Sequence, residues 1–353
     1  MELLQQTLNN IAPVSAAWRE AARQRINRLT MPRWALGRLL DLAIDLAAIA
    51  ETTAPSVERK ELILMAADHG IVADGVAPQP SAVTVQMLEN FARGGAAVNV
   101  LARQAKAHLT LVDMGVASEL PEAVRKQVIP AKIAFGTASF AHGPAMSRAQ
   151  AVQAVETGIA LVNQLADHVD LFATGEMGIG NTSPSTAIVS VLENVDPAEL
   201  VGPGAGLPPE KLAHKAAMIR QGIERNRPDR TDGLDLLAKV GGFEIGGIAG
   251  VILGAARCRK PVLVDGFISG AGALIAAMLA PAAKDYMLMA HGSAEPGHAA
   301  ILKKLGKKPL LDLDMRLGEG SGAALAMPLA DAAAAILREM ATFDEAQVTE
   351  AGL

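Results

Sequence analysis

An α/β fold, a parallel Rossmann-like sheet with helices on both faces, is the class this sequence predicts, and three observations carry it. Short, unbroken apolar runs of strand length recur along the chain, as strands buried on both faces require. Helix-like segments separate them, and strands alternating with helices give a parallel sheet covered on both sides. Nearly every run ends in an acid or a histidine beside a glycine, and open sheets of this kind bind ligands outside the carboxyl ends of their strands.

The elements follow in order. Residues 1–50 read as helices, because Leu4, Leu8 and Ile11, then Trp18, Ala22, Ile26 and Leu29, recur near helical spacing, with Pro13 and Pro32 as breaks. The first strand is expected at 62–67, ending in Asp68-His69-Gly70. Strands at 109–112 and 169–173 run into Asp113-Met114-Gly115 and Thr174-Gly175-Glu176. Those at 261–264 and 286–290 run into Asp265-Gly266 and His291-Gly292-Ser293. A sixth at 309–313 leads to Glu319. Helices are expected at 149–166, 186–192, 209–224 and 331–348. Neither terminus carries a strand signal, so residues 1–50 and 331–353 are expected to pack together as a small helical domain on an α/β domain spanning 51–330.

Composition narrows the class. The chain has 353 residues, half of them apolar, which is ample for a large core. Its net charge is -5, and Lys303, Lys304, Lys307 and Lys308 form the only dense basic group, which reads as a solvated helix end rather than a nucleic-acid surface. Aromatic residues are too scarce to build base-stacking platforms. A single cysteine, Cys258, excludes an intramolecular disulfide framework and fits a reducing, cytoplasmic setting. The first residues lack the shape of a signal peptide. The longest uncharged run, 266–283, is rich in Gly and Ala and contains Pro281, so it reads as a buried helix and no membrane span is expected.

Four stretches carry candidate chemistry. In Met315-Arg316-Leu317-Gly318-Glu319-Gly320-Ser321-Gly322 a carboxylate sits between glycines ahead of an alanine-rich helix, either an ordinary capped turn or an acid presented to a ligand. Gly175-Glu176-Met177-Gly178-Ile179-Gly180-Asn181-Thr182-Ser183 joins a strand to a helix and suits a phosphate held by backbone N–H groups, although it is neither a P-loop nor the dinucleotide fingerprint. Gly202-Pro203-Gly204-Ala205-Gly206 is a second glycine loop, with Lys215 on the next helix as either a solvated residue or an anion contact. His291-Gly292-Ser293 and His298 lack the helical spacing of a zinc pair, so a metal site is not favoured. Asp265 at its strand end is placed to bind ribose hydroxyls.

These residues resemble the nicotinate-nucleotide:dimethylbenzimidazole phosphoribosyltransferase family, which assembles the lower ligand of cobalamin. The resemblance rests on Ala66-Ala67-Asp68-His69-Gly70, Gly143-Pro144-Ala145-Met146, Gly175 to Thr182, Val240-Gly241-Gly242-Phe243-Glu244, Val264-Asp265-Gly266-Phe267 and Met315 to Gly320, in the family's order. It implies transfer of the phosphoribosyl group of nicotinate mononucleotide to 5,6-dimethylbenzimidazole, giving α-ribazole 5'-phosphate and nicotinate with anomeric inversion. It places the general base on Glu319 and supporting polar roles on Glu176 and Lys215, implies no metal or organic cofactor, and implies a homodimer. Gly178, Gly180, Asn181, Thr182, Gly204, Asp265, His291, Gly292, Ser293, Gly318 and Gly320 complete the expected substrate-binding set. Departures from the family's pattern stand at 31–37, at 77–81, and at Pro203 and Ala205. They leave the acceptor open among dimethylbenzimidazole, adenine, another benzimidazole and a phenol.

Overall fold

Every residue of strand β1 (Lys60–Ala67) is buried, yet its side chains part between two cores. Ile63, Met65 and Ala67 join one, with Met114, Phe172, Val264 and Met289; Leu62, Leu64 and Ala66 join the other, with Leu111, Ala173, Leu263 and Leu288. Successive side chains of a strand point to opposite faces, so the unbroken apolar run at 62–67 must be covered on both. The computed structural model describes residues 1–349, and residues 350–353 of the expected terminal helical domain lie outside them.

The other strands are β2 (Ala107–Gly115), β3 (Val128–Pro130), β4 (Leu171–Met177), β5 (Val262–Val264) and β6 (Met287–Met289). They form one six-stranded sheet in the order β3-β2-β1-β4-β5-β6, and every pairing is parallel. This is the doubly wound order, in which the chain reverses direction between β1 and β4 and leaves a crevice at their carboxyl ends. The sheet differs from expectation at one edge. Its sixth member is β3, whose three residues include an exposed isoleucine and a proline and so give no apolar run to read. The segment expected as the sixth strand instead supplies β8 (Leu311–Asp312), which pairs in parallel with β7 (His291–Gly292) as a separate two-stranded ribbon.

On one face the helices Arg148–Leu165 and Phe243–Arg257 cross at very short range. A Cβ on Gly158 would lie 2.0 Å from the Gly247 carbonyl oxygen, and one on Gly250 would lie 2.0 Å from that of Val155, so glycine is what permits the crossing. Helix Glu2–Asn9 packs on this same face, where the Leu4 amide donates to Glu156. Helices Ala16–Ile26 and Arg38–Ala50 pack on the opposite face, against the helix Ser321–Glu339. There Leu29 and Thr342 form an antiparallel bridge, which ties the segment after Ala16–Ile26 to the one after Ser321–Glu339. The helix expected at 331–348 thus begins earlier, at Ser321, and gives way at Met340 to a short capped turn, Phe343–Ala346.

Candidate active site

The carboxyl ends of β4, β5 and β6 open into a cleft of about 580 Å³. β4 extends past the expected strand end, so Gly175 and Glu176 lie within the sheet, paired with Leu64 and Met65. The reason for Gly175 is tertiary: a Cβ there would lie 2.5 Å from the carbonyl oxygen of Glu319, whose loop passes directly over the strand. That loop is Gly318-Glu319-Gly320, with φ of 80°, 63° and 88°. Left-handed backbone costs a residue with a side chain about 1–2 kcal/mol, so holding Glu319 there takes a surrounding structure that enforces it.

Three side chains enforce it. The Glu319 amide donates to Glu176 Oε1 at 3.3 Å. The Gly320 and Ala323 amides donate to Asp265 Oδ2 and Oδ1 at 3.2 and 2.9 Å. The Asn181 side-chain amide donates to the other oxygen of Glu176. The result is a group of three nearly buried carboxylates, Glu176, Asp265 and Glu319. Burial, with the charges of Asp265 and Glu244 behind it, pushes the Glu176 carboxyl up to about 8, so it holds its proton at neutral pH. Burial also raises Glu319; the Val98 amide opposes the shift and Asp265 adds to it. Glu319 Oε2 is buried and has no hydrogen-bond partner.

Two cations, Lys215 and Arg316, stand at the glycine loops. Gly178 crosses the end of β1 so closely that a Cβ would lie 2.1 Å from the Ala67 carbonyl oxygen, and Gly180 turns at φ 89° into the helix Thr182–Glu193. Lys215 Nζ reaches the first turn of that helix, donating to Thr182 Oγ1 at 2.8 Å and to the Gly202 carbonyl at 3.0 Å. Burial lowers Lys215 to about 8, with Glu295 opposing. The Gly204 amide donates to Glu295 Oε1 at 3.0 Å, and Arg316 Nη1 donates to the Gly204 carbonyl at 2.9 Å. The start of the helix Thr182–Glu193, with the Thr182 hydroxyl, a buried lysine and an exposed arginine beside it, suits a phosphate.

The expected residues divide by position. Glu176, Gly178, Asn181, Thr182, Gly204, Asp265, His291, Ser293, Gly318 and Glu319 line the cleft. Four lie just behind it. Gly180 makes the turn, Lys215 acts through Thr182, Gly292 pairs with Asp312 in the small ribbon, and Gly320 donates to Asp265. Asp265 itself uses both oxygens on backbone amides, the arrangement of a helix cap, where a ribose contact was expected. His291 is buried with neither ring nitrogen hydrogen-bonded, its Nε2 3.7 Å from Asp265 Oδ1. His69 is outside the cleft, paired at 2.8 Å with Glu244 beneath the glycine loop.

Sequence reasoning missed Glu295 and Arg316 as lining residues, although each stands beside a residue it did single out. It also missed the apolar wall of Met87, Met177, Ile179, Phe267 and Leu317, which no local pattern marks. Among the described residues, no group of three or more His, Cys, Asp or Glu side chains is arranged to hold a metal ion, and no helix is long and apolar enough to cross a membrane.

A family model described as phosphoribosyltransferase matches residues 11–348. A nicotinate-nucleotide:dimethylbenzimidazole phosphoribosyltransferase of Syntrophotalea carbinolica is 53% identical over 99% of both chains. The chain belongs to the nicotinate-nucleotide:dimethylbenzimidazole phosphoribosyltransferase family. A second member, from Chloroflexus aggregans, is likewise 53% identical over 99% of each chain. The crystal structure of a phosphoribosyltransferase of the same name from Thermus thermophilus superposes with a TM-score of 0.90 at 41% identity, covering 96% of this chain and all of that one. The parallel sheet described above is therefore the fold of this phosphoribosyltransferase family, and the protein is an enzyme of that class.

Proposed function

We propose that this phosphoribosyltransferase moves the phosphoribosyl group of nicotinate mononucleotide to 5,6-dimethylbenzimidazole, as its relatives' names describe, in assembly of the cobalamin nucleotide loop. One observation carries the assignment of roles: Glu319 lines the cleft with a buried carboxylate oxygen that has no hydrogen-bond partner. The nucleotide phosphate lies at the first turn of Thr182–Glu193, balanced by Lys215 and Arg316. The acceptor lies against the apolar wall beside Glu319.

In this reading a ring nitrogen of the acceptor attacks the anomeric carbon from the face opposite nicotinate, so the configuration inverts. The bond to the pyridinium nitrogen breaks, and its electron pair leaves with nicotinate as a neutral ring nitrogen. Glu319 takes the proton from the acceptor's second nitrogen, and its raised pKa makes it the stronger base for that step. Glu176, protonated at neutral pH, accepts from the Glu319 amide and the Asn181 side chain without placing its own negative charge beside Glu319. Alignment of the partners and retention of the phosphate supply much of the remaining rate enhancement.

The test is release of nicotinate from nicotinate mononucleotide against a panel of acceptors. Release that depends on dimethylbenzimidazole supports the reading, release with adenine or a phenol reassigns the acceptor, and no release with any acceptor removes the activity. The reading also carries a homodimer in the cytoplasm, as the resemblance implies; a monomer by sedimentation at assay concentration would dismiss the dimer.

A further inference from the structure

We propose that Asp265 is a positioning residue whose carboxylate, reaching across from β5, holds the loop that presents Glu319. The inference rests on the reaction proposed above and deepens it.

The residue preceding the helix Ser321–Glu339 is Gly320, which has no side chain to cap the helix. A capping residue is barred from that position. Its φ is 88°, and a Cβ there would lie 2.9 Å from a Leu62 methyl carbon and 3.1 Å from Gly175 Cα. The amides at the helix start therefore need an acceptor from elsewhere in the fold. Asp265 supplies it with both oxygens, one to Gly320, next to Glu319, and one to Ala323. Its own amide donates to Thr174 Oγ1 on β4 at 3.3 Å, which ties the anchor to the strand that carries Glu176. The three left-handed residues are thus pinned from β4 through Glu176 and from β5 through Asp265.

The anchor also acts by its charge. Glu319 faces Glu176 from β4, Asp265 from β5 and the Val98 amide from the helix Ala97–Gln104, while His291 faces Asp265. Burial raises the Asp265 carboxyl itself, against the pull of His291 and of the Ala323 and Gly320 amides; in its ionised form it makes the proton on Glu319 harder to remove, which strengthens Glu319 as a base.

The experiment is a double-mutant cycle in the full-length enzyme between Asp265→Asn and Glu319→Gln. Asparagine keeps one acceptor and turns an NH2 group toward the other amide. The expected kcat falls on the order of 100-fold, the cost of misplacing a reacting group by about 1 Å. KM for nicotinate mononucleotide stays close to that of the parent, and the acid limb of the kcat profile moves to lower pH. Once Glu319 is Gln, adding Asp265→Asn costs no further activity. Additive losses, or a rise in KM with kcat intact, would overturn the proposal, the latter pointing to ribose binding. If the asparagine variant does not fold, Asp265→Glu, which keeps two acceptor oxygens on a longer arm, takes its place with the same split expected. Nicotinate release by the unaltered enzyme tests the reaction separately, so failure of Asp265's role is distinguishable from failure of that reading.

Discussion

Glu319→Gln separates chemistry from fold more cleanly than any other change in this cleft. The two side chains have the same shape, and the amide at 319 still donates to Glu176 Oε1. The only loss is a proton acceptor. Removing a general base costs on the order of 10²–10⁴-fold, which is about 3–5 kcal/mol on the barrier. Stability moves the other way. Burial raises the Glu319 pKa in the folded chain, so the stability tied to this group is complete below its unfolded value and is lost as pH rises through the folded value. An uncharged glutamine avoids that loss, and the variant is expected to melt at or above the parent's temperature under mildly alkaline conditions. Nicotinate release at saturating substrates, with a thermal melt of the same preparation, reads both quantities. Activity near the parent's would refute the role of Glu319, and a fall in activity matched by a fall in melting temperature would mean that glutamate is needed for the loop rather than for the proton.

Lys215→Met removes a buried cation that is hydrogen-bonded to Thr182, and loss of a charged contact worth about 1.5–3 kcal/mol should raise KM for the nucleotide on the order of 10–100-fold. Titration of the parent should show nucleotide affinity falling above about pH 8, where Lys215 loses its proton. Glu176, raised to about 8 from an ordinary 4.5, makes the ligand-free enzyme less stable as pH climbs through that window; Glu176→Gln should flatten the decline in melting temperature, and an unchanged slope would contradict the assignment. Far from the cleft, Gly158→Ala places a Cβ 2.0 Å from the Gly247 carbonyl. Alanine normally gains about 1 kcal/mol over glycine in a helix. Here overpacking on the order of 1–3 kcal/mol should reverse the sign, seen as a lower melting temperature.

The central strands were legible because their patterns are local. β1, β2 and β4 are continuous apolar runs that end in polar residues beside glycine. β3 was not legible, since an edge strand with one buried residue and a proline has no such pattern. At the site, Glu319 and the glycine loops stood out through composition and the family resemblance singled out Glu176, whereas Arg316 and Glu295 did not stand out, because lining a cleft depends on which segments the fold brings together. Asp265 stood out at its strand end, but its two contacts to the start of a helix dozens of residues later did not, because an acid after a strand reads the same whatever folds against it.

By itself the sequence determined that buried strands alternate with helices and end in polar turns, since apolar periodicity and turn chemistry act over a few residues; only the ends of β4, β5 and β6 meet in the cleft, while His69 after β1 pairs with Glu244. Only the tertiary structure decided that Glu319 would stand left-handed over β4, where a missing Cβ at Gly175 makes room for it. The same holds for Asp265 capping a helix that cannot cap itself, and for the acidic cluster whose burial alters its protons. Close approach and desolvation are properties of neighbours brought together by the fold, and no short stretch of chain contains them.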